Sequence, residues 1–345
     1  MIDVHVHLRD WQQSAKETVG HGLAVASLCG FRWVADMPNT APALTDRETV
    51  LDRLALASPY ARKHHVSYSV HMGLTADEDQ IRHAVNTYNE LFPRVLGLKM
   101  FAGHSTGNMG LVSPDAQRTV FRTLTDSDYR GILLVHCEKE SLLRPELFVP
   151  GRFETHSAAR PPEAEAESVR DMISLAMETG FRGGLHICHI STRAALDLVK
   201  KARAEGLDIS CGATAHHSLL TASDAGNHDR FLKMNPPLRD ESDRQAVYQG
   251  LIDGDVDFVE SDHAPHTLAD KKAGASGIPG FAGSLLLLKR LKADGVPHAR
   301  LVELFCSAAA DRFGIESDNR LADRLDWRIA KAREEYPFDP FSGLS

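Results

Sequence analysis

Gly131-Ile132-Leu133-Leu134-Val135-His136 is a short aliphatic run that ends on an imidazole. Runs of this length and composition, buried on both faces, are what parallel sheets are built from. Seven more occur at intervals, over residues 3–8, 31–36, 66–72, 95–101, 184–190, 208–214 and 257–261. Longer amphipathic stretches separate them, which is the pattern of repeated βα units. About eight such units close a barrel. The expected architecture is therefore an α/β fold, a (β/α)8 TIM-like barrel spanning 1–345 as one domain, with 318–345 as a C-terminal extension.

Helix signals fit that frame. Thr45-Asp46-Arg47-Glu48 has the form of a capping box with Thr45 as N-cap. Ser191-Thr192 opens a second helix, which Gly206 closes. The connections over 138–162 and 218–239, and the Gly-, Ala- and Pro-rich stretch 271–283, are long enough to cover or shape a site, because loops after barrel strands sit on the catalytic face. Met1 lies four positions from His5, so fraying at that end would weaken anything His5 binds.

Composition excludes several classes. The net charge is -8, with 39 basic and 47 acidic residues, and no basic stripe suited to a phosphate backbone is present, so nucleic acid is not an expected partner. No apolar stretch reaches the roughly 18 residues of a membrane span, and the first residues lack the pattern of a signal peptide. A cytoplasmic protein with no membrane partner is expected. The five cysteines are scattered and read as reduced core residues. The 18 histidines are the anomaly, several of them grouped at the ends of apolar runs.

His5-Val6-His7 puts two imidazoles on one face of a strand, able to reach one metal ion. Alone, such a pair is equally a set of satisfied polar residues. His136 and His189 end two other runs, and several imidazoles at one level of a barrel favour metal binding. Asp262, after the last strand, is suited to bind a metal, to shuttle a proton, or to cap a helix. Lys99 sits in the apolar run Leu98-Lys99-Met100-Phe101, where an unpaired ammonium is costly. Conversion to a carbamate that bridges two cations is one solution; snorkelling out, or pairing with Asp262, is the other.

The ordered set His5-Val6-His7-Leu8-Arg9, Met37-Pro38-Asn39-Thr40, Gly97-Leu98-Lys99-Met100-Phe101, Val135-His136-Cys137-Glu138, His186-Ile187-Cys188-His189, Met234-Asn235-Pro236-Pro237-Leu238-Arg239 and Asp262-His263-Ala264-Pro265-His266 resembles the dihydroorotases of the amidohydrolase superfamily. The resemblance runs in order to about residue 315. It implies two Zn2+ ions, one on His5, His7 and Asp262 and the other on His136 and His189, bridged by Lys99 as its N6-carboxylated form. His189 is taken rather than His186 because the family's ligand lies just before the following helix. The resemblance further implies that Arg9, Asn39 and His266 hold a substrate carboxylate, and that Asn235 and the Pro279-Gly280 backbone meet the ring amide. Asp262 would be the catalytic acid-base. The implied reaction is the reversible hydrolysis of L-dihydroorotate to N-carbamoyl-L-aspartate in pyrimidine biosynthesis.

The segment 103–108, with Ser105, Thr106 and Asn108, is either a lid over the site or a rigid turn. Many relatives carry an accessory β-sandwich, but the sequence outside the barrel has no alternating β run, so a barrel without that sandwich is expected. Trp327, Tyr336, Phe338 and Phe341 of the extension are placed to pack across the barrel or against a neighbouring subunit; a homodimer is compatible. Two other readings keep the fold: a hydantoinase or allantoinase, against which Arg9, Asn39 and His266 argue, and a catalytically silent scaffold, which would be expected to have lost ligands.

Overall fold

A computed structural model describes residues 1–105 and 109–344. Eight parallel strands follow one another around a single sheet: β1 (Ile2–Val6), β2 (Trp33–Asp36), β3 (Ser67–Gly73), β4 (Val95–Ala102), β5 (Ile132–Cys137), β6 (Gly184–Ile187), β7 (Ile209–Ala213) and β8 (Phe258–Val259). Each strand pairs with the next, and helices run back outside the sheet. The expected barrel is the observed one, and a second sheet is absent among the described residues. No helix of the described residues is long and apolar enough to cross a membrane.

Two apolar layers hold the barrel. Val34, Val70, Met100, Leu133, Val135, Leu185 and Ile187 belong to the layer under the helices. A smaller cluster inside the barrel, with Val4, Leu96, Leu134 and Phe258, packs with Phe313 of the helix Ala308–Phe313. Inward positions nearer the strand ends turn polar: His71, Lys99, His186 and Glu260 are all fully buried. The parallel register aligns those ends, so residues distant in sequence meet at one mouth; Phe101 of β4, for example, lies beside His136 of β5.

The seam between β8 and β1 is built differently. The Asp3 carboxylate accepts the N–H groups of His5 and Ser261, each at 3.2 Å, and His7 N–H donates to His263 O at 2.7 Å. Side-chain bonds from Asp3 supplement a single backbone bridge, Val6 to His263, in place of a full ladder. Strand geometry accordingly stops at Val259 instead of continuing to 261, and β1 shifts register between Asp3 and Val6. The start of β1 is packed: the Met1 side chain is buried, and its carbonyl accepts Arg32 N–H at 2.8 Å.

The capping box expected at Thr45 does not form, and the N-cap lies one residue later. Asp46 caps the helix Arg47–His64 by accepting Thr49 N–H at 2.9 Å, since aspartate reaches that amide as well as threonine does. The second helix, Arg193–Ala204, starts as expected, with the Thr192 side chain as its cap. The long connections are not bare loops: 138–162 contains short helical turns, and the stretch after β7 opens with the helix Ala215–Leu219. The extension folds onto its own barrel through the helix Leu325–Glu334. Phe341 is fully buried against Gly283, Phe338 packs edge-on against Phe231, and Trp327 stays 44% exposed.

Candidate active site

A small cavity opens at the C-terminal ends of the strands. His5, His7, Arg9, Asn39, Ser105, His136, His189, Asn235 and Asp262 all line it, together with Phe101, Ala264, Ser276 and Gly277. Lys99 lies at the same level, fully buried within β4. A larger outer groove beside Leu51, Leu54 and Tyr68 has no comparable convergence of ionisable groups.

Asp262 Oδ1 is 3.0 Å from His7 Nε2 and 3.4 Å from His5 Nε2. On the far side of the His7 ring, Nδ1 lies 2.8 Å from Asn39 Oδ1, which can only accept, so the ring proton sits on Nδ1. The bare Nε2 then faces a carboxylate oxygen, an arrangement that needs a proton or a cation between them. Neither ring nitrogen of His5 has a hydrogen-bond partner. Burial, then the nearby Lys99, pushes the His5 pKa down to about 4, so its imidazole is neutral at pH 7 and free to donate a lone pair.

A second pair lies alongside. His136 Nδ1 and His189 Nε2 are 3.2 Å apart. Two ligands of one tetrahedral ion with bonds of about 2.0–2.1 Å would stand roughly 3.3 Å from each other. His136 Nε2 is 3.0 Å from Glu138 Oε2, close but poorly aligned for a hydrogen bond, while His189 Nδ1 has no partner. Burial lowers the pKa of both rings. Arg160 grips the buried Glu138 carboxylate with contacts of 2.6 and 3.0 Å; burial would raise the Glu138 pKa, but Arg160 and His136 together bring it well below the usual carboxylate range. Glu138 is therefore an anion held 3.0 Å from the His136 ring, on the side away from His189.

His186 points elsewhere. It stacks on Phe258 and bonds Ser210 Oγ at 2.8 Å and Glu260 Oε1 at 2.9 Å. Glu260 also accepts His189 N–H at 2.7 Å, bracing the short segment that leaves β6. Lys99 Nζ is 2.9 Å from Cys188 Sγ and 5.1 Å from the Phe101 ring centre, and among the described residues no carboxylate lies within 4.0 Å of it. Neither the pairing with Asp262 nor the snorkelling weighed for this lysine occurs.

Arg9 is 2% exposed and lines the cavity. Its Nε donates to Pro265 O at 3.2 Å, and among the described residues no carboxylate stands within 4.0 Å of its guanidinium. His266 does not line the cavity but lies behind Arg9. Its Nε2 is 2.9 Å from Ser276 O and 3.2 Å from Arg9 Nη2. A carbonyl can only accept, so the ring proton belongs to Ser276 O and the arginine contact is one of packing.

Pro279 is not at the cavity. It is buried behind it, and the following Gly280 N–H bonds His263 Nδ1 at 3.1 Å; Ser276 and Gly277 of the same loop form the wall. Thr106 and Asn108 lie outside the described residues, whereas Ser105 is on the rim.

The backbone is unusual where the site is. Arg9, Asp10 and Trp11 in succession, and His189 and Asp262, have positive φ, a region that non-glycine residues enter only at a cost of order 1–3 kcal/mol each. Sequence reasoning missed Glu138, Glu260, Ser276 and Gly277. The first two had a readable signal, since each lies two residues from a proposed ligand on the same strand end, the spacing already used for His5 and His7.

The family model DHOase, described as Dihydro-orotase-like, matches residues 1–84. A dihydroorotase of Lactiplantibacillus plantarum is 33% identical over 337 residues, covering 93% of this chain and 73% of that protein. The chain belongs to the dihydroorotase family. A dihydroorotase of Bacillus cereus is 28% identical over 352 residues, covering 100% of this chain and 79% of its own. Among solved structures, the L-hydantoinase of Arthrobacter aurescens superposes with a TM-score of 0.80 at 23% identity, over 91% of this chain and 70% of that one. The dihydroorotase of Campylobacter jejuni gives 0.69 at 20% identity, over 91% and 83%. These two share the barrel fold. Family membership makes this chain a hydrolase of cyclic amides.

Proposed function

We propose that this member of the family is a dihydroorotase that interconverts L-dihydroorotate and N-carbamoyl-L-aspartate as a step in pyrimidine biosynthesis. The observation that carries the reading is Arg9: a buried guanidinium on the cavity wall, which Asn39 also lines, with no carboxylate of the described residues within 4.0 Å; Glu17, Asp262, Asp36 and Asp270 act on it only from farther away. A buried charge with no direct counter-ion is costly to hold, and guanidinium geometry matches a carboxylate. Dihydroorotate brings a carboxylate. Neutral hydantoin and allantoin rings do not, which is why the fold likeness to a hydantoinase does not redirect the reading.

The donor set fits two zinc ions. His5, His7 and Asp262 present donor atoms within 4.8 Å of one another, and His136 and His189 face each other at ligand spacing. The bare ring nitrogens of His5 are otherwise unexplained in so buried a place. Lys99, buried, without a carboxylate within 4.0 Å among the described residues and close enough for its charge to act on His5, His136 and His189, would as a carbamate supply a further anionic ligand to such ions. When bound, such a pair supplies Lewis acidity and a water that ionises near neutral pH.

The protein's own groups do the rest. Arg9 and Asn39 hold the substrate carboxylate; Asn235, Ser276 and Gly277 line the side where the ring amide would lie. Water adds to the ring carbonyl carbon and the C–N bond breaks. Asp262 accepts the proton from that water and returns it to the departing nitrogen. Homologues named dihydroorotase across nearly the whole chain support this assignment.

The test compares turnover of dihydroorotate, hydantoin and allantoin by the purified protein, with metal content measured on the same sample. Selective hydrolysis of dihydroorotate with about two ions per chain is the expected result. Preference for a neutral ring would remove the substrate assignment, and full activity in verified metal-free protein would remove the mechanism.

A further inference from the structure

Lys271 is a fully buried lysine that takes no part in the chemistry described above. Among the described residues no carboxylate lies within 4.0 Å of its Nζ. Instead it donates to three carbonyl oxygens, Lys233 O at 2.9 Å, Ala275 O at 2.8 Å and Gly277 O at 2.7 Å. Three acceptors use all three N–H bonds of an ammonium. A neutral amine would have to turn its lone pair onto one of those oxygens. The geometry thus calls for the charged form, although burial and the neighbouring Lys233 lower its pKa well below the ordinary lysine value.

The neighbouring contacts extend this pattern. Lys233 Nζ donates to Gly274 O at 2.6 Å and Ser276 Oγ at 3.1 Å, and His266 Nε2 takes Ser276 O. The carbonyls of four consecutive residues, Gly274 to Gly277, are therefore each held by a side-chain donor. Gly277 N–H returns a bond to Lys233 O at 2.9 Å. Gly277 has φ +129°, and a Cβ there would lie 2.7 Å from Ala264 O, so the loop is fixed in a shape that suits glycine alone. This loop brings Ser276 and Gly277 to the cavity wall, and Lys233 is two residues before Asn235, which also lines it.

We propose that Lys271 is a positioning residue whose ammonium acts as a built-in monovalent cation, clamping the 275–277 loop to the 233–235 segment and so shaping the wall that receives the substrate ring. It does not touch the substrate. Its loss is expected to weaken ground-state binding more than chemistry.

The kinetic arm of the test rests on the dihydroorotase reading; the exchange arm does not. In Lys271→Met, a neutral side chain of similar length, KM for dihydroorotate should rise about tenfold with kcat changed less than about threefold. Amide hydrogen exchange should quicken in 273–280 and stay unchanged in the strands. In Lys271→Ala, ammonium chloride should restore KM and slow the exchange, whereas sodium chloride at equal concentration should not. Wild-type KM and wild-type exchange in folded Lys271→Met would overturn the proposal, as would a fall in kcat as large as that in kcat/KM. Should Lys271→Met fail to fold, a larger ammonium-induced rise in melting temperature for Lys271→Ala than for wild type supports the clamp, and equal shifts overturn it. A wild-type protein inactive on dihydroorotate would fell the functional reading and leave exchange to decide this one.

Discussion

Replacing Arg9 by methionine separates what this residue does for binding from what it does for stability. With a substrate carboxylate in place, its guanidinium would make two charge-assisted hydrogen bonds, each contributing about 1.5–3 kcal/mol. Asn39 remains in the variant and retains part of the recognition. A net loss of about 3 kcal/mol corresponds to roughly a 150-fold fall in kcat/KM for dihydroorotate. Stability should move the other way or not at all. Burial lowers the Arg9 pKa, and no carboxylate of the described residues pairs with the charge, so methionine removes a desolvation cost while filling the same space. The left-handed backbone at Arg9, φ 47°, strains both side chains equally. The assay is steady-state hydrolysis of dihydroorotate beside thermal melting. A variant with wild-type kcat/KM, or one that has lost activity only because it has unfolded, would refute the reasoning.

Other perturbations probe separate parts of the account. Asp262→Asn should keep the fold and abolish turnover, because an amide cannot accept the water proton; measurable kcat within tenfold of wild type would contradict that role. Dialysis against a chelator should remove activity and lower the melting temperature, and zinc should restore both, since ligands that bind only the folded chain stabilise it. Burial holds the His71 pKa at about 3, below its unfolded value near 6.5. Its contribution to stability is complete above pH 6.5 and is lost as the pH falls toward 3. His71→Gln should remove about one proton, or about 1.4 kcal/mol per pH unit, from the acid limb of a stability profile, and an unchanged slope would contradict this. Phe341→Ala should cost about 3 kcal/mol in denaturant unfolding, because the ring is fully buried against Gly283; a negligible loss would mean that the extension is only loosely docked.

The fold was legible because short β-rich runs alternate with helical stretches, and about eight such units is the number that closes a barrel. The convergence of His5, His7, His136, His189 and Asp262 followed from their places at strand ends, which the parallel register brings together. Less legible was whatever depends on backbone geometry. The positive φ values at Arg9, His189 and Asp262 leave no mark in residue type, and the seam carried by Asp3 looks in sequence like any polar residue in a strand. Thr45 and Asp46 are both good caps, so sequence could not choose between them. The Pro279-Gly280 contact is implied by the resemblance alone; that Ser276 and Gly277 line the wall depends on contacts from Lys271, Lys233 and His266, residues whose meeting only the folded chain reveals.

An anomalous difference map at the zinc absorption edge, from crystals grown with zinc and no chelator, tests the central claim most directly. The account predicts two peaks, one within about 2.0–2.2 Å of His5, His7 and Asp262 and one at the same distance from His136 and His189, with density extending from Lys99 Nζ between them. A map with no peak at the mouth, and with the His136 and His189 rings bonded only to each other, would contradict it.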